Sequence, residues 1–420
     1  VEPSQFYSLI NSFQRSTHKI PNLESLVASF LPKAHFIVAQ HRKLTSSGDN
    51  YGSVLLSVDI LVRNEHNQDE HIHAVAKKLP CNELIQEMFN SQCTFPNEVG
   101  FYQTIAPCLR EFQHEKRIPE LVSSFPDFYT ARISKHHHKI DESSVLLIKN
   151  IKKDGFEILD RTVGFDLKQC KLVLTKMAEV HATAAALKLQ QPTLFQEKVV
   201  PFFEEYETFV MDDESNDKMI QVALDVVRDD VICKRYLPRL EEIMKDSSVI
   251  IQKKNDKTVP ENHFFTLVHS DMWTNNIMVK IIDGEIMDVK FVDYQLYEYT
   301  SLTRDVVFFL YSSVKTEVLK EGCDYLLRYY FDNFIDWMKK LDCDVKDFSF
   351  EGFIEDMKAM VKKFEFFHVM TMLPPIYATS KDTKDVEQLD MDNLIFVGSQ
   401  ATETCKEKAC FVVEDFIQRG

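Results

Sequence analysis

Leu267-Val-His-Ser-Asp-Met-Trp-Thr-Asn-Asn276 runs directly into Ile277 to Ile282, then Asp283-Gly284, Glu285 to Val292 and Asp293-Tyr-Gln295. Two apolar runs flanking Asp-Gly read as a β-hairpin, because the tight turn needs left-handed backbone and these two residues tolerate it. Counting outward from 283 and 284 sets Asn276 across from Phe291, with Asp293 one diagonal step further along on the same face. In that register a carboxylate and a carboxamide converge at the open end of the hairpin. Two oxygen ligands there, with room for water and phosphate oxygens, suit octahedral Mg²⁺. Asp271 lies on the loop entering the first strand and reaches the same space without being a metal ligand, which is the position a general base needs.

The rest of the chain has the material to support such a site. It has 420 residues, 45% hydrophobic and 27% charged, which is an ordinary globular balance and enough for two sizeable lobes. Lys and Arg total 49 against 65 Asp and Glu, a net charge of −16 that repels phosphate backbones and anionic lipid surfaces. Nucleic acid and membrane are therefore not expected as partners, and an anionic substrate needs a locally bound cation. Only ten glycines occur, which disfavours turn-rich sandwiches and propellers and points to a predominance of helix. The nine cysteines are dispersed without a CxxC pair, a pattern of reduced thiols in a cytoplasmic setting. Cys405 and Cys410, the only close pair, have a spacing that suits neither zinc nor a redox motif. No apolar stretch approaches the ~18 residues of a membrane span. The chain starts at Val1 rather than Met, which leaves a removed signal segment open, although the cysteine usage does not call for one.

Strand signals concentrate in the first 150 residues. Ala34 to Leu44, Ser53 to Val62 and His71 to Leu79 predict an antiparallel meander, and Phe128 to Ile133 with Val145 to Ile148 a second pair. Thr94 to Leu109 shows helical spacing through Phe95, Val99 and Tyr102, with Pro107 interrupting it. Beyond Ile151 the texture turns helical, at Lys168 to Leu189, Met219 to Lys245, Val318 to Lys340 and Phe350 to Met372.

The HxDxxxxN spacing of His269, Asp271 and Asn276, followed by Asp293 after a hairpin, resembles the catalytic and metal-binding loops of protein kinases and of the aminoglycoside and choline kinase group. Such a fold also carries a Lys on its third strand and a Glu on the following helix. Lys77 in Ala74-Val-Ala-Lys-Lys-Leu-Pro80 and Glu98 in Phe95-Pro-Asn-Glu-Val-Gly-Phe-Tyr102 stand in those positions. Over nearly its whole length the chain resembles the ecdysteroid kinase-like (CHK kinase-like) family of insects. Its marks here include Gly48-Asp-Asn-Tyr-Gly-Ser53, Ala106-Pro107, His181-Ala182, Asp293-Tyr-Gln295 and Asp305 in Thr303-Arg-Asp-Val-Val. The resemblance implies an α+β, two-lobed protein kinase-like fold. Residues 1–148 would form a nucleotide-binding lobe with a small antiparallel sheet and one key helix, 149–151 a hinge, and 152–420 a larger, mainly α catalytic and acceptor-binding lobe. Three departures stand beside the matches: Ser270 where the family has Gly, Tyr294 where it has Phe, and Ile148-Lys149-Asn150-Ile151 where a Leu-Glu-Asp-Leu type run is usual.

Roles follow from phosphoryl transfer, in which the protein positions groups and offsets charge. The resemblance implies ATP and Mg²⁺ as cofactors, with Lys77, oriented by Glu98, on the α- and β-phosphates, and Asn276 and Asp293 on the metal. Asp271 would take the acceptor hydroxyl proton, His269 would brace the loop, and the Asp305 carboxylate would accept hydrogen bonds from that loop's backbone. Gly48, Asn50 and Ser53 would cover the phosphates with backbone amides, and the Lys149 and Ile151 backbone would meet the adenine. The acceptor implied is a small-molecule alcohol: an ecdysteroid or another hydrophobic alcohol, dietary or xenobiotic. Phe202 to Met211 and Phe364 to Tyr377 are apolar segments suited to an acceptor pocket or to plain core. Two other readings stay open: a choline- or aminoglycoside-type kinase of a cationic alcohol, and a catalytically silent nucleotide- or steroid-binding pseudokinase. The sequence leaves the oligomeric state open.

Several polar residues have plainer expectations. His181 lies on an apolar helical stripe and reads as a core histidine bonded to backbone. His136-His137-His138 reads as a solvated turn, and His71 with His73 as an exposed strand edge. Lys78 should point away from the face that carries Lys77. Trp273 either covers the loop or touches substrate.

Overall fold

The computed structural model describes residues 19–44, 53–119, 122–134, 140–203, 211–252, 261–378 and 401–420. Two units divide the described residues: one within 1–103 and 126–155, the other within 104–125, 156–378 and 401–420.

The first unit is an antiparallel sheet with helices at its flanks. Helix α1 (Leu23–Phe30) precedes β1 (His35–Lys43), β2 (Val54–Arg63) and β3 (Asp69–Lys78). Helices α2 (Glu83–Met88) and α3 (Ser91–Gly100) follow, then β4 (Phe128–Arg132) and β5 (Val145–Lys149). The sheet order is β1-β2-β3-β5-β4 with every pairing antiparallel. Alternation decides its register: Val54, Leu56, Val58, Ile60 and Val62 of β2 are all buried. Burying each such side chain contributes roughly 1.5–3 kcal/mol, so a one-residue slip would forfeit an amount comparable to the whole stability of a typical domain. His73 lies within β3, and its Nδ1 meets Asp59 Oδ1 on β2 at 2.6 Å, so it is paired rather than a free edge residue.

The second unit is mainly helical. It begins with α4 (Ala106–Glu115) and β6 (Phe156–Ile158), followed by α5 (Leu167–Gln190), α6 (Asp213–Asp225) and α7 (Leu237–Gln252). Then come β7 (Phe265–Val268), β8 (Ile277–Ile282), β9 (Glu285–Phe291) and β10 (Glu298–Ser301). Helices α8 (Thr303–Ser313), α9 (Thr316–Lys340), α10 (Phe350–Met360), α11 (Phe366–Tyr377) and α12 (Glu403–Arg419) complete it. A capping box fixes the start of α5: Asp166 accepts the Gln169 N–H and the Gln169 side chain accepts the Asp166 N–H, both at 2.9 Å. Strands β6, β8 and β9 form one small sheet, and β7 pairs with β10 in another.

Three sequence expectations need correction. Pro107 does not end the helix that precedes it. The chain passes from α3 through a π-helical turn, Phe101–Ile105, and the proline falls in the first turn of α4, where its missing N–H and fixed φ are tolerated. The helical pattern from Met219 to Lys245 is two helices, not one. Asp230 Oδ1 accepts the N–H groups of Ile232 and Cys233, both at 2.8 Å, a local turn that competes with helix, and Pro238 restarts the chain in the first turn of α7. A second π-helical turn, Val361–Glu365, separates α10 from α11 in the run expected as one helix. Among the described residues, no helix is long and apolar enough to cross a membrane.

Candidate active site

In the first unit, Lys77 lies on β3 opposite Leu55 and Leu146. Its Nζ meets Glu98 Oε2 of α3 at 2.6 Å, with the side chains only 6% and 2% exposed. Charges so buried are tolerated only when paired. Lys78 reaches the carbonyl of Lys19 instead, at 3.2 Å, as strand alternation requires. Ser53 is buried at the start of β2, while Gly48 and Asn50 lie outside the described residues. At the end of β5 the Lys149 N–H donates to Asp127 O at 2.8 Å and the Asn150 N–H to His73 O at 2.9 Å. The Lys149 ammonium is held by Asp154 at 2.9 Å. The Asn150 side chain reaches Ser57 Oγ and accepts the Lys152 N–H, opening a 3₁₀ turn, Ile151–Asp154. A base placed at Lys149 would therefore have to be read through its carbonyl, since its N–H is already bonded.

In the second unit, the loop from His269 to Asn276 is suspended from one carboxylate. Asp305, in the first turn of α8, accepts the backbone N–H of His269 on Oδ2 at 2.6 Å and that of Ser270 on Oδ1 at 2.8 Å. Ser270 has φ +65°, the left-handed region that favours glycine. His269 Nε2 donates to Val292 O at 2.9 Å, and the Asp271 N–H points at its Nδ1 at 3.3 Å. The imidazole thus ties the loop to the end of β9, next to Asp293.

Asn276 Nδ2 donates to both the backbone carbonyl and Oδ2 of Asp271, each at 2.9 Å. With its amide hydrogens so engaged, Asn276 offers a carbonyl oxygen as its remaining donor atom. Together with the Asp293 carboxylate, that is an all-oxygen set of the kind a hard divalent cation takes, so the residues fit Mg²⁺. The hairpin register differs from the expected one. Ile282 pairs with Glu285 and Ile281 with Ile286, but a bulge at Met287 and Asp288 shifts the rest, so that Phe291 faces Ile277. The backbone carbonyl of Asn276 instead accepts the Val292 N–H at 3.0 Å. Asp293 then turns through φ +68°, a conformation Asp tolerates. The backbone turn, not strand parity, aims this carboxylate.

Electrostatics separate the half-buried Asp271 from the buried Asp305. Burial pushes the Asp271 carboxyl up from its ordinary value, and the nearby Asp293 charge adds to this, against opposing contributions from His269, His368 and the Asn276 hydrogen bond. A raised carboxyl is closer to the range useful for taking a hydroxyl proton. For Asp305 burial also works upward, but the hydrogen bond and charge of His181, with His269, outweigh it and hold the group below its ordinary value.

Sequence reading missed His181. Its ring is not bonded to backbone: Nε2 lies 3.1 Å from Asp305 Oδ2, and Nδ1 lies 2.6 Å from the Tyr330 hydroxyl. The His181-Ala182 mark was the available signal. Trp273 is buried, with no partner for Nε1 among the described residues. Phe364 to Tyr377 is mostly core, since Phe366, Phe367, Met370, Leu373 and Ile376 are buried. His368 is half-buried and stacks on Phe308, ring centroids 4.0 Å apart. Of Phe202 to Met211, residues 204–210 lie outside the described residues, as do His136 to His138.

Residues 47–343 match the model of the ecdysteroid kinase-like family. No curated protein sequence matches the chain. Among solved structures it is similar to an ethanolamine kinase of Plasmodium vivax at 11% identity, covering 87% of this chain and 81% of that one with a TM-score of 0.40. It is also similar to spectinomycin phosphotransferase in complex with ADP and spectinomycin, at 10% identity, 94% and 98% coverage and a TM-score of 0.43. A microcompartment-associated aminopropanol kinase is similar at 8% identity, 94% and 97% coverage and a TM-score of 0.43. The fold class is α+β and kinase-like, with a five-stranded antiparallel sheet in the amino-terminal part.

Proposed function

The chain belongs to the ecdysteroid kinase-like family, and from that premise we propose that it is a small-molecule phosphotransferase that moves the γ-phosphoryl group of ATP onto an alcohol. The acceptor we favour is an ecdysteroid or another hydrophobic alcohol. The observation that carries the reading is the Asp305-suspended loop, which holds Asp271 against Asn276 at 2.9 Å.

Bound ATP with Mg²⁺ would supply the transferable phosphoryl group and offset its charge. Asn276 and Asp293 hold the metal, and Lys77, fixed by Glu98, holds the α- and β-phosphates. Ser53 covers the phosphates, while Lys149 and Ile151 contact the base through backbone. Asp271 orients the acceptor hydroxyl and takes its proton, and His269 and Asp305 keep Asp271 in place. The nine dispersed cysteines, without a CxxC pair, support a reducing, cytoplasmic setting.

The net charge of −16 favours a second acceptor class, a cationic alcohol of the choline or aminoglycoside type. A silent pseudokinase has less support, because Lys77, Glu98, Asp271, Asn276 and Asp293 are all present. The test is incubation with labelled ATP, Mg²⁺ and a panel spanning ecdysteroids, sterols, choline and aminoglycosides. Label on a steroid alcohol supports the favoured reading, label only on cationic alcohols supports the second, and nucleotide binding without any labelled product would overturn the enzyme assignment.

A further inference from the structure

Three side chains that phosphoryl transfer leaves unused meet within the second unit. The Sγ atoms of Cys233 and Cys410 and a carboxylate oxygen of Asp230 all lie within 4.8 Å of one another. Asp230 and Cys233 belong to the turn between α6 and α7, and Cys410 lies on α12, 177 residues further along the chain. The cluster is therefore a product of folding and has no local sequence signature.

Its geometry is that of a metal site short of closure. A tetrahedral Zn²⁺ with Zn–S of about 2.3 Å and Zn–O of about 2.0 Å needs its ligand atoms about 3.5–3.8 Å apart, so each separation closes by at most about 1.3 Å. The carboxylate is already oriented, since Asp230 Oδ1 accepts the N–H groups of Ile232 and Cys233 at 2.8 Å each. Such bonds behind a ligand fix its direction and raise its affinity for metal. Cys233 is fully buried, whereas Asp230 and Cys410 are half-buried, which leaves a solvent side for a fourth ligand.

We infer that Asp230, Cys233 and Cys410 form a thiolate–carboxylate site for Zn²⁺, with water as the fourth ligand, tying helix α12 to the turn between α6 and α7. Two sulfur donors select a borderline-soft ion and reject Mg²⁺, so the site is chemically separate from the oxygen donors of Asn276 and Asp293. Cys233 Sγ also lies 3.9 Å from the backbone carbonyl of Cys410, and a bound divalent ion displaces the thiol protons.

The test uses the full chain, purified under reductant, freed of metal and titrated with Co²⁺. A thiolate-to-Co²⁺ charge-transfer band should appear, saturate at one Co²⁺ per chain and vanish on addition of Zn²⁺. It should be lost in Cys410→Ser and in Cys233→Ser and weakened in Asp230→Asn. Because Cys233→Ser alters a fully buried position, a second measurement avoids variants of it. Zn²⁺ should protect Cys410 of the unmodified chain from alkylation, read by peptide mass spectrometry, while leaving exposed Cys81 reactive, and Asp230→Asn should lose that protection. The inference is overturned by the absence of a band in the unmodified chain, by a band undiminished in both cysteine variants, or by a Cys233–Cys410 disulfide in the protein isolated under reductant.

Discussion

His181 Nε2 stands 3.1 Å from Asp305 Oδ2, so a histidine on α5 shares a carboxylate with the backbone of the loop that carries Asp271. The hydroxyl of Tyr330, on α9, holds the other ring nitrogen at 2.6 Å. Three helices, α5, α8 and α9, and the loop are thereby locked through one buried network.

Replacing His181 with Ala removes a partner from a buried carboxylate. A hydrogen bond to a charged group contributes about 1.5–3 kcal/mol, so urea unfolding at neutral pH should show a loss of that size. Hydrogen exchange at the His269 and Ser270 amides should quicken. Unchanged exchange at those two amides would mean that the network does not hold the loop.

Asp305 also sets a pH dependence. Its folded carboxyl lies below the ordinary 3.8, so the unfolded chain binds the proton more tightly. The resulting stability is present above the unfolded value and is lost as pH falls through the folded one. Asp305→Asn should be less stable than the unmodified chain at neutral pH, and the gap should narrow as pH drops below about 4, as read from urea midpoints across pH. A gap that stays constant on acidification would refute the linkage.

For Asp271→Asn we expect labelled product to fall by about 10²–10⁴-fold, the usual contribution of a positioned base, with nucleotide affinity retained. Asn keeps the shape and can still contact Asn276, so a folding defect is not expected. Transfer at an undiminished rate would remove the base assignment.

Lys77 and Glu98 are strongly buried partners, and breaking such a pair from one side costs about 3–5 kcal/mol, because the survivor is left as a buried lone charge. Lys77→Met should therefore destabilise more than Lys77→Met combined with Glu98→Gln, and both should lose nucleotide affinity. A double-mutant cycle by chemical denaturation measures the coupling, and additive effects would contradict it.

Ser270→Gly should stabilise the protein by about 1 kcal/mol, because it relieves a left-handed backbone and removes a buried hydroxyl without a partner among the described residues. The added freedom of glycine in the unfolded chain opposes this gain and limits it. Thermal melting decides the sign.

Local rules made much of the fold legible. The alternation of Val54, Leu56, Val58, Ile60 and Val62 marks β2, and Asp283-Gly284 marks the hairpin turn, with φ +52° and +80°. The same rules failed where distant atoms decide. A turn sets only the register beside it, so the bulge at Met287 and Asp288, and with it the pairing of Ile277 with Phe291, could not be read from the turn residues. The two π-helical turns were equally hidden, because helical spacing looks the same on either side of one inserted residue.

By itself, the sequence determined which residue types recur at which intervals: HxDxxxxN, the later Asp293, and the order of Lys77 and Glu98. Those are enough to propose a chemistry, because hydrogen-bond donors, carboxylates and their spacing are written locally. Only tertiary structure decided that His181 answers to Asp305, that Asp293 is aimed by a left-handed turn, and that Cys233 meets Cys410 across 177 residues. Such meetings depend on how helices pack and where a strand bulges, and those outcomes are set by the summed burial of many side chains rather than by any short run of them.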